Sequence, residues 1–226
     1  FVGTFDPDTI RPLVERYLGS LPSTRRTETW KDVGARYPTG VITKQVEKGL
    51  EPKSQAAIIY TGPFVFDQTQ RIAIRAMAEI LQNRLRETIR EQLGGTYSIN
   101  ASANYRPSPV PDYAISIGWG CDPARLDELV ARVLKEIDAL KTGGPTAQQV
   151  ADEREALLRD YESVTKQNAW WVAQMAQRYE NHEDPAGLLN LPDYYRKIDA
   201  AMIQQAARTY LNGDNRVQVT LVPEKK

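Results

Sequence analysis

Residues 97–121 hold the pattern that most restricts the fold. Tyr97, Ile99, Ala101, Ala103 and Tyr105 alternate with Ser98, Asn100, Ser102 and Asn104, and Tyr113, Ile115, Ile117 and Trp119 alternate likewise after Pro107, Pro109 and Pro111. A two-residue period places one set of side chains on each face of a strand, so these are antiparallel strands with one packed and one wetter face. Such a face must be buried against something, and the rest of the chain offers helices to do it.

The preceding segment supplies one. Asp67 and Gln70 have the spacing of a capping box, and Ile74, Met77, Leu81 and Leu85 share one face of a helix predicted to reach about Gln92, where Gly94-Gly95 stops it. Pro123 starts another, with Leu126, Leu129, Val133, Ile137 and Leu140 inward and Gly143-Gly144-Pro145 at its end. Thr146 with Gln149 signals a second capping box and one long helix to about Tyr179, free of Gly and Pro. A short helical piece is expected through Tyr194 and Tyr195, and Asp199 caps a last helix ending near Leu211. Val41–Val46, Gln55–Thr61 and Val217–Leu221 read as further strands. Paired strands with clustered helices imply an α+β fold, a mostly antiparallel sheet with helices on one face.

The first residues read differently. Phe1–Phe5 look like the middle of a strand, and Asp6-Pro7 opens a helix through Ile10, Leu13, Val14, Tyr17 and Leu18 to Gly19. Residues 20–40 are polar and hold Pro22, Gly34, Pro38 and Gly40, as a linker does. Residues 1–40 are therefore expected to be the closing strand, helix and linker of a preceding unit in a longer polypeptide, and residues 41–226 a complete one.

Charge removes several functions. Lys plus Arg and Asp plus Glu are both 29, so a net charge of zero argues against nucleic-acid binding or a polybasic membrane contact. No apolar run approaches the roughly 20 residues of a membrane helix. Cys121, the sole cysteine, excludes an intrachain disulfide. It precedes Asp122-Pro123 at a helix start, where a thiolate could be stabilised, but with no basic partner in view it reads as a packed structural residue. Glu153, Glu155 and Asp160 beside Arg154 and Arg159 could be acid–base carboxylates, yet read better as solvated helix ion pairs. Trp170 and Trp171 with Tyr161 and Tyr179 read as aromatic packing rather than a peptide groove.

The informative stretch is Leu85–Ile99. Arg90 falls in the last turn of a helix and Tyr97 at the start of the next strand, joined by the Gly94-Gly95 bend, so both side chains can converge on one place. A guanidinium offers forked donors to peptide carbonyls, and a phenol can donate to a carbonyl oxygen gaining negative charge. The same residues also suit a plain helix terminus and a packed strand tyrosine.

Ile89-Arg90-Glu91-Gln92-Leu93-Gly94-Gly95-Thr96-Tyr97 resembles the signature of the pitrilysin/insulinase-type zinc metallopeptidases in their carboxy-terminal, non-metal half, and the doubled glycine is most similar to the bacterial PqqL-like branch. Val2-Gly3-Thr4-Phe5-Asp6-Pro7 and Tyr17-Leu18-Gly19-Ser20-Leu21-Pro22 resemble the strand–turn–helix that closes each repeat of that family. The resemblance implies α/β-roll repeats around a chamber and zinc-dependent cleavage of unfolded peptides. It also implies that Arg90 holds the substrate backbone and Tyr97 bonds the scissile carbonyl. The family's His-x-x-Glu-His metal motif has no counterpart here, since His182 is the only histidine. The chain is thus expected to bind no zinc and to be inactive alone, with zinc supplied by an amino-terminal half and an extended peptide as its substrate. The branch implies a periplasmic setting, with a cytoplasmic one as the alternative. A non-catalytic structural or partner subunit of the same fold is the competing expectation, and a self-sufficient hydrolase using carboxylates or Cys121 a third.

Overall fold

The computed structural model describes residues 1–27, 29, 31–92 and 98–224, with the side chains of 90–92 excepted. It divides into two compact units: residues 1–35 with 161–188, and residues 36–160 with 189–226.

The larger unit is built on the alternating strands. β1 (Val41–Glu47), β2 (Ser54–Pro63), β3 (Ile99–Arg106), β4 (Asp112–Cys121) and β5 (Arg216–Val222) form one sheet in the order β1-β5-β2-β4-β3. Among the described residues only β1 and β5 pair in parallel, and the other three ladders are antiparallel, with Ile58 opposite Ile117 and Ala101 also opposite Ile117. Tyr60, Ile58, Ile115, Ile117, Trp119 and Ile99 are all buried on one face. The reverse face carries the short side chains Ala57, Ser116 and Ser102 with Gly118, as the alternation predicts.

Three helices cover the buried face: α2 (Gln68–Leu85), α3 (Leu126–Gly143) and α7 (Ala200–Tyr210). α2 contributes Ile74, Met77 and Leu81, each fully buried, and α3 contributes Leu129, Ile137 and Leu140. Arg84 lies 3.6 Å from Glu136 and donates to the Gly144 carbonyl, so a half-buried ion pair pins the end of α2 to α3. Gly144, at φ 71°, ends α3 in a conformation that glycine adopts without strain.

Two caps show how literally the sequence can be read. Thr146 and Gln149 exchange both bonds of the box that starts α4 (Ala147–Val164), at 3.0 and 3.1 Å. At Asp67 only half of the box forms. The carboxylate accepts from the Gln70 amide, while the Gln70 side chain turns inward to accept from the Tyr210 hydroxyl at 2.6 Å. A buried phenol needs that acceptor more than an exposed cap does.

The smaller unit departs from expectation twice. Phe1–Phe5 form no strand; the backbone bends at Gly3 (φ 152°), and among the described residues no strand pairs with it. α1 (Pro7–Val14) follows, capped by Asp6 and continued by a π-helical turn over Glu15–Gly19. The single long helix after Thr146 is also broken. α4 stops at Val164, and α5 (Asn168–Glu180) starts anew after Gln167 adopts an extended ψ of 120°. Side chains make the break: the Thr165 hydroxyl donates back to the Tyr161 carbonyl, and the Trp171 indole N–H donates to the Thr165 carbonyl at 2.8 Å. α6 (Leu191–Arg196) completes the helices of the larger unit.

Candidate functional site

α2 does not end where its regular turns end. A π-helical stretch, Arg86–Gln92, extends it, and it is anchored by Ile89 (fully buried) and Thr88 (buried). Arg90 lies on this stretch, but its side chain falls outside the described residues, as does Tyr97 with the whole segment 93–97. The description resumes at Ser98, which runs straight into β3. The structure therefore describes the two supports between which the expected pair is strung: the buried end of α2 and the start of an edge strand.

Gln82 joins these supports. Its carboxamide donates to the Ile99 carbonyl at 2.8 Å and accepts from the Ala101 amide, so one side chain of α2 engages two backbone groups of β3. The sequence reading passed over Gln82, because only the chain's return 17 and 19 residues later gives it these partners. On the reverse face of the sheet, away from α2, lies a shallow depression of about 430 Å³ bordered by Ala57, Ser98, Gly118, Gly120 and Val219. Its floor is open because β4 presents glycine there.

The other candidates fare unequally. Cys121 is half-buried. Burial and the adjacent Asp122 carboxylate push its thiol above the usual range, with Arg125 and Trp119 only partly opposing, which is the reverse of an activated nucleophile. His182 adopts a positive φ of 56° in the turn after α5. Among the described residues no group of three or more His, Cys, Asp or Glu side chains is placed to hold a metal ion.

Glu153 corrects the reading of α4 as a solvated charge ladder. It sits with Val150 and Leu157 on the buried stripe of the helix and is only 6% exposed. Burial, with Glu79 nearby, pushes its carboxyl up to about 7, while Arg75 pulls the other way. Glu155 and Arg159 do form the exposed pair expected of them. Of the aromatic group, Tyr161, Trp170 and Trp171 pack edge to face at 5.9 and 4.9 Å, but Tyr179 is 64% exposed and stands apart from that cluster.

Known proteins resemble this chain in both sequence and fold. Residues 1–157 match the family described as the peptidase M16 inactive domain. A zinc protease PQQL-like protein of Arabidopsis thaliana is 25% identical over 195 residues, which cover 80% of this chain and 20% of that one. The crystal structure of the periplasmic protease PqqL from Escherichia coli superposes with a TM-score of 0.85 at 21% identity, covering 98% of this chain and 25% of that one. The first half of that same protease matches at a TM-score of 0.74 and 13% identity, over 96% of this chain and 49% of that half. The chain thus spans about a fifth of the length of the curated relative, and one fold recurs within the larger protease. No helix among the described residues is long and apolar enough to cross a membrane.

Proposed function

Because the chain belongs to the peptidase M16 inactive-domain family, we propose that it is the metal-free, substrate-holding part of a larger zinc endopeptidase. The observation that carries this reading is the family match over residues 1–157, which includes the whole Leu85–Ile99 stretch. Zinc belongs, in this reading, to the amino-terminal half of the same protein, and no zinc ligand comes from the residues described here. An extended peptide lies against the end of α2 and the start of β3. Arg90 bonds its backbone carbonyls, and Tyr97 donates to the scissile carbonyl as that oxygen gains negative charge. The depression bordered by Ser98 gives a bound chain somewhere to lie, adjacent in sequence to Tyr97. The PqqL neighbour, a periplasmic protease, supports a periplasmic setting.

The organisation proposed with it is a closing segment over residues 1–40, then a complete repeat over 41–226. Support comes from the side chains of the first segment: Leu13, Tyr17, Leu18 and Leu21 are each at least half exposed, as expected of residues that another part of the polypeptide would cover.

The test is reconstitution. The purified chain should neither hydrolyse an unfolded peptide nor bind zinc stoichiometrically, and adding the metal-bearing half should produce chelator-sensitive cleavage. Hydrolysis by the chain alone in chelator, lost on a single carboxylate or Cys121 substitution, would contradict the proposal.

A further inference from the structure

The end of α2 and the start of β3 are joined in two ways. The first is apolar: Ile99 and Ala101 are buried on the face that α2 covers, beside Leu81 and Leu85. Such packing holds a helix on a strand but has no direction, so it sets poorly how far along the strand the helix sits. The second is directional. The Gln82 carboxamide donates to the Ile99 carbonyl and accepts from the Ala101 amide, as the backbone of a neighbouring strand would. Both bonds are half-buried, where water competes weakly and a hydrogen bond is stronger. Two bonds from one planar group to two residues of the strand admit a single register. The helix that carries Gln82 is held in turn: Arg84 reaches Glu136 and the Gly144 carbonyl, and Leu85 and Ile89 are fully buried. Sequence order gives this clamp its consequence. Gln82 precedes Arg90 on one continuous helical run, and Ile99, its first partner, follows Tyr97 and Ser98 directly.

We propose that Gln82 is a positioning residue: it locks the start of β3 to α2 in one register and so sets Tyr97 relative to Arg90. The inference rests on the substrate-holding reading above and adds what keeps the two groups in step over one scissile bond. A donor aimed at a developing oxyanion loses its effect steeply with displacement, so a shift of about 1 Å can lower the rate on the order of 10²-fold. Peptide affinity, spread over many contacts, is much less sensitive to the same shift.

The test is a double-mutant cycle on the proposed two-part enzyme, with Gln82→Met and Tyr97→Phe made singly and together and each variant checked for folding by thermal unfolding. Methionine keeps the length and apolar contact of the side chain and loses both bonds. Gln82→Met should lower kcat by about 10–10²-fold and leave KM within about twofold. In the Tyr97→Phe background it should add little, because a misplaced strand matters only through the donor it carries. Gln82→Glu gives a second readout, which also serves if Gln82→Met does not fold. Its carboxylate still accepts from Ala101 but donates to the Ile99 carbonyl only when protonated. Its kcat relative to the parent should therefore recover as pH falls through the titration of that carboxyl, and a ratio flat with pH overturns the inference. So does an unchanged kcat in Gln82→Met, or losses that multiply in the double variant, while the substrate-holding reading stands if Tyr97→Phe alone lowers kcat. A Tyr97→Phe enzyme as fast as the parent, or a parent mixture that cleaves nothing, overturns the reading and the inference with it.

Discussion

The two units of this chain are built on opposite terms. In the larger, Ile58 of β2, Ile74, Met77 and Leu81 of α2, Ile115 of β4 and Ile137 of α3 are almost wholly removed from water. In the smaller, neither α1 nor α5 buries a single residue, and Phe1, Leu13, Tyr17 and Val172 are at least half exposed. Apolar burial of about 25 cal/mol per Å² is the main term that offsets the entropy of ordering a chain. The larger unit has its own supply of it, whereas the smaller keeps helices with little core. The comparison teaches that the proposed site, at the end of α2 and the start of β3, belongs to the unit that has its own core, while residues 1–35 carry exposed apolar surface.

Core truncation should split the units most sharply. Leu81→Ala is expected to cost about 3–4 kcal/mol in urea unfolding, because a fully buried side chain leaves a cavity. A cost under about 1 kcal/mol would mean the core is looser than its burial implies.

Next comes Glu153→Gln. The folded carboxyl titrates near 7 and the unfolded one near 4.5. As pH rises through that window the unfolded state ionises first, so the native protein loses stability until both are charged. Glutamine does not titrate. The variant should match the parent near pH 4 and exceed it by about 3 kcal/mol at pH 8. Equal stability at both pH values would show that α4 gives that carboxylate water or a partner when it ionises.

Gly62→Ala should follow. An added Cβ would lie 2.9 Å from a ring carbon of Tyr113, itself buried and wedged edge-on against Tyr210 at 4.9 Å. A cost of about 1–2 kcal/mol is expected from thermal unfolding, since the ring must move in a packed site. Leu13→Ala closes the series at under about 0.5 kcal/mol, because Leu13 is 50% exposed. A larger loss would show that the smaller unit has a core of its own after all.

Much of the fold was legible because short-range rules governed it. The alternation in residues 97–119 yields β3 and β4, and Thr146 with Gln149 marks the start of α4, since both depend on neighbours in sequence. What escaped depended on distant partners. The break at Thr165–Gln167 lies among good helix formers and is made by a hydroxyl and an indole reaching for carbonyls. Glu153 looked like one of several solvated charges, and only its place between Val150 and Leu157 hints at burial. The site divides likewise. Arg90 and Tyr97 were singled out from a local motif, whereas Gln82 was silent, because its role exists only once β3 has folded back beside α2.

The most direct test is steady-state kinetics on the enzyme proposed to form from this chain and a metal-bearing half, with Tyr97→Phe as the variant. Loss of a donor that strengthens only as the carbonyl oxygen gains charge should lower kcat by about 10²–10³ with little change in KM. An unchanged kcat would contradict the account, leaving Tyr97 no part in the reaction.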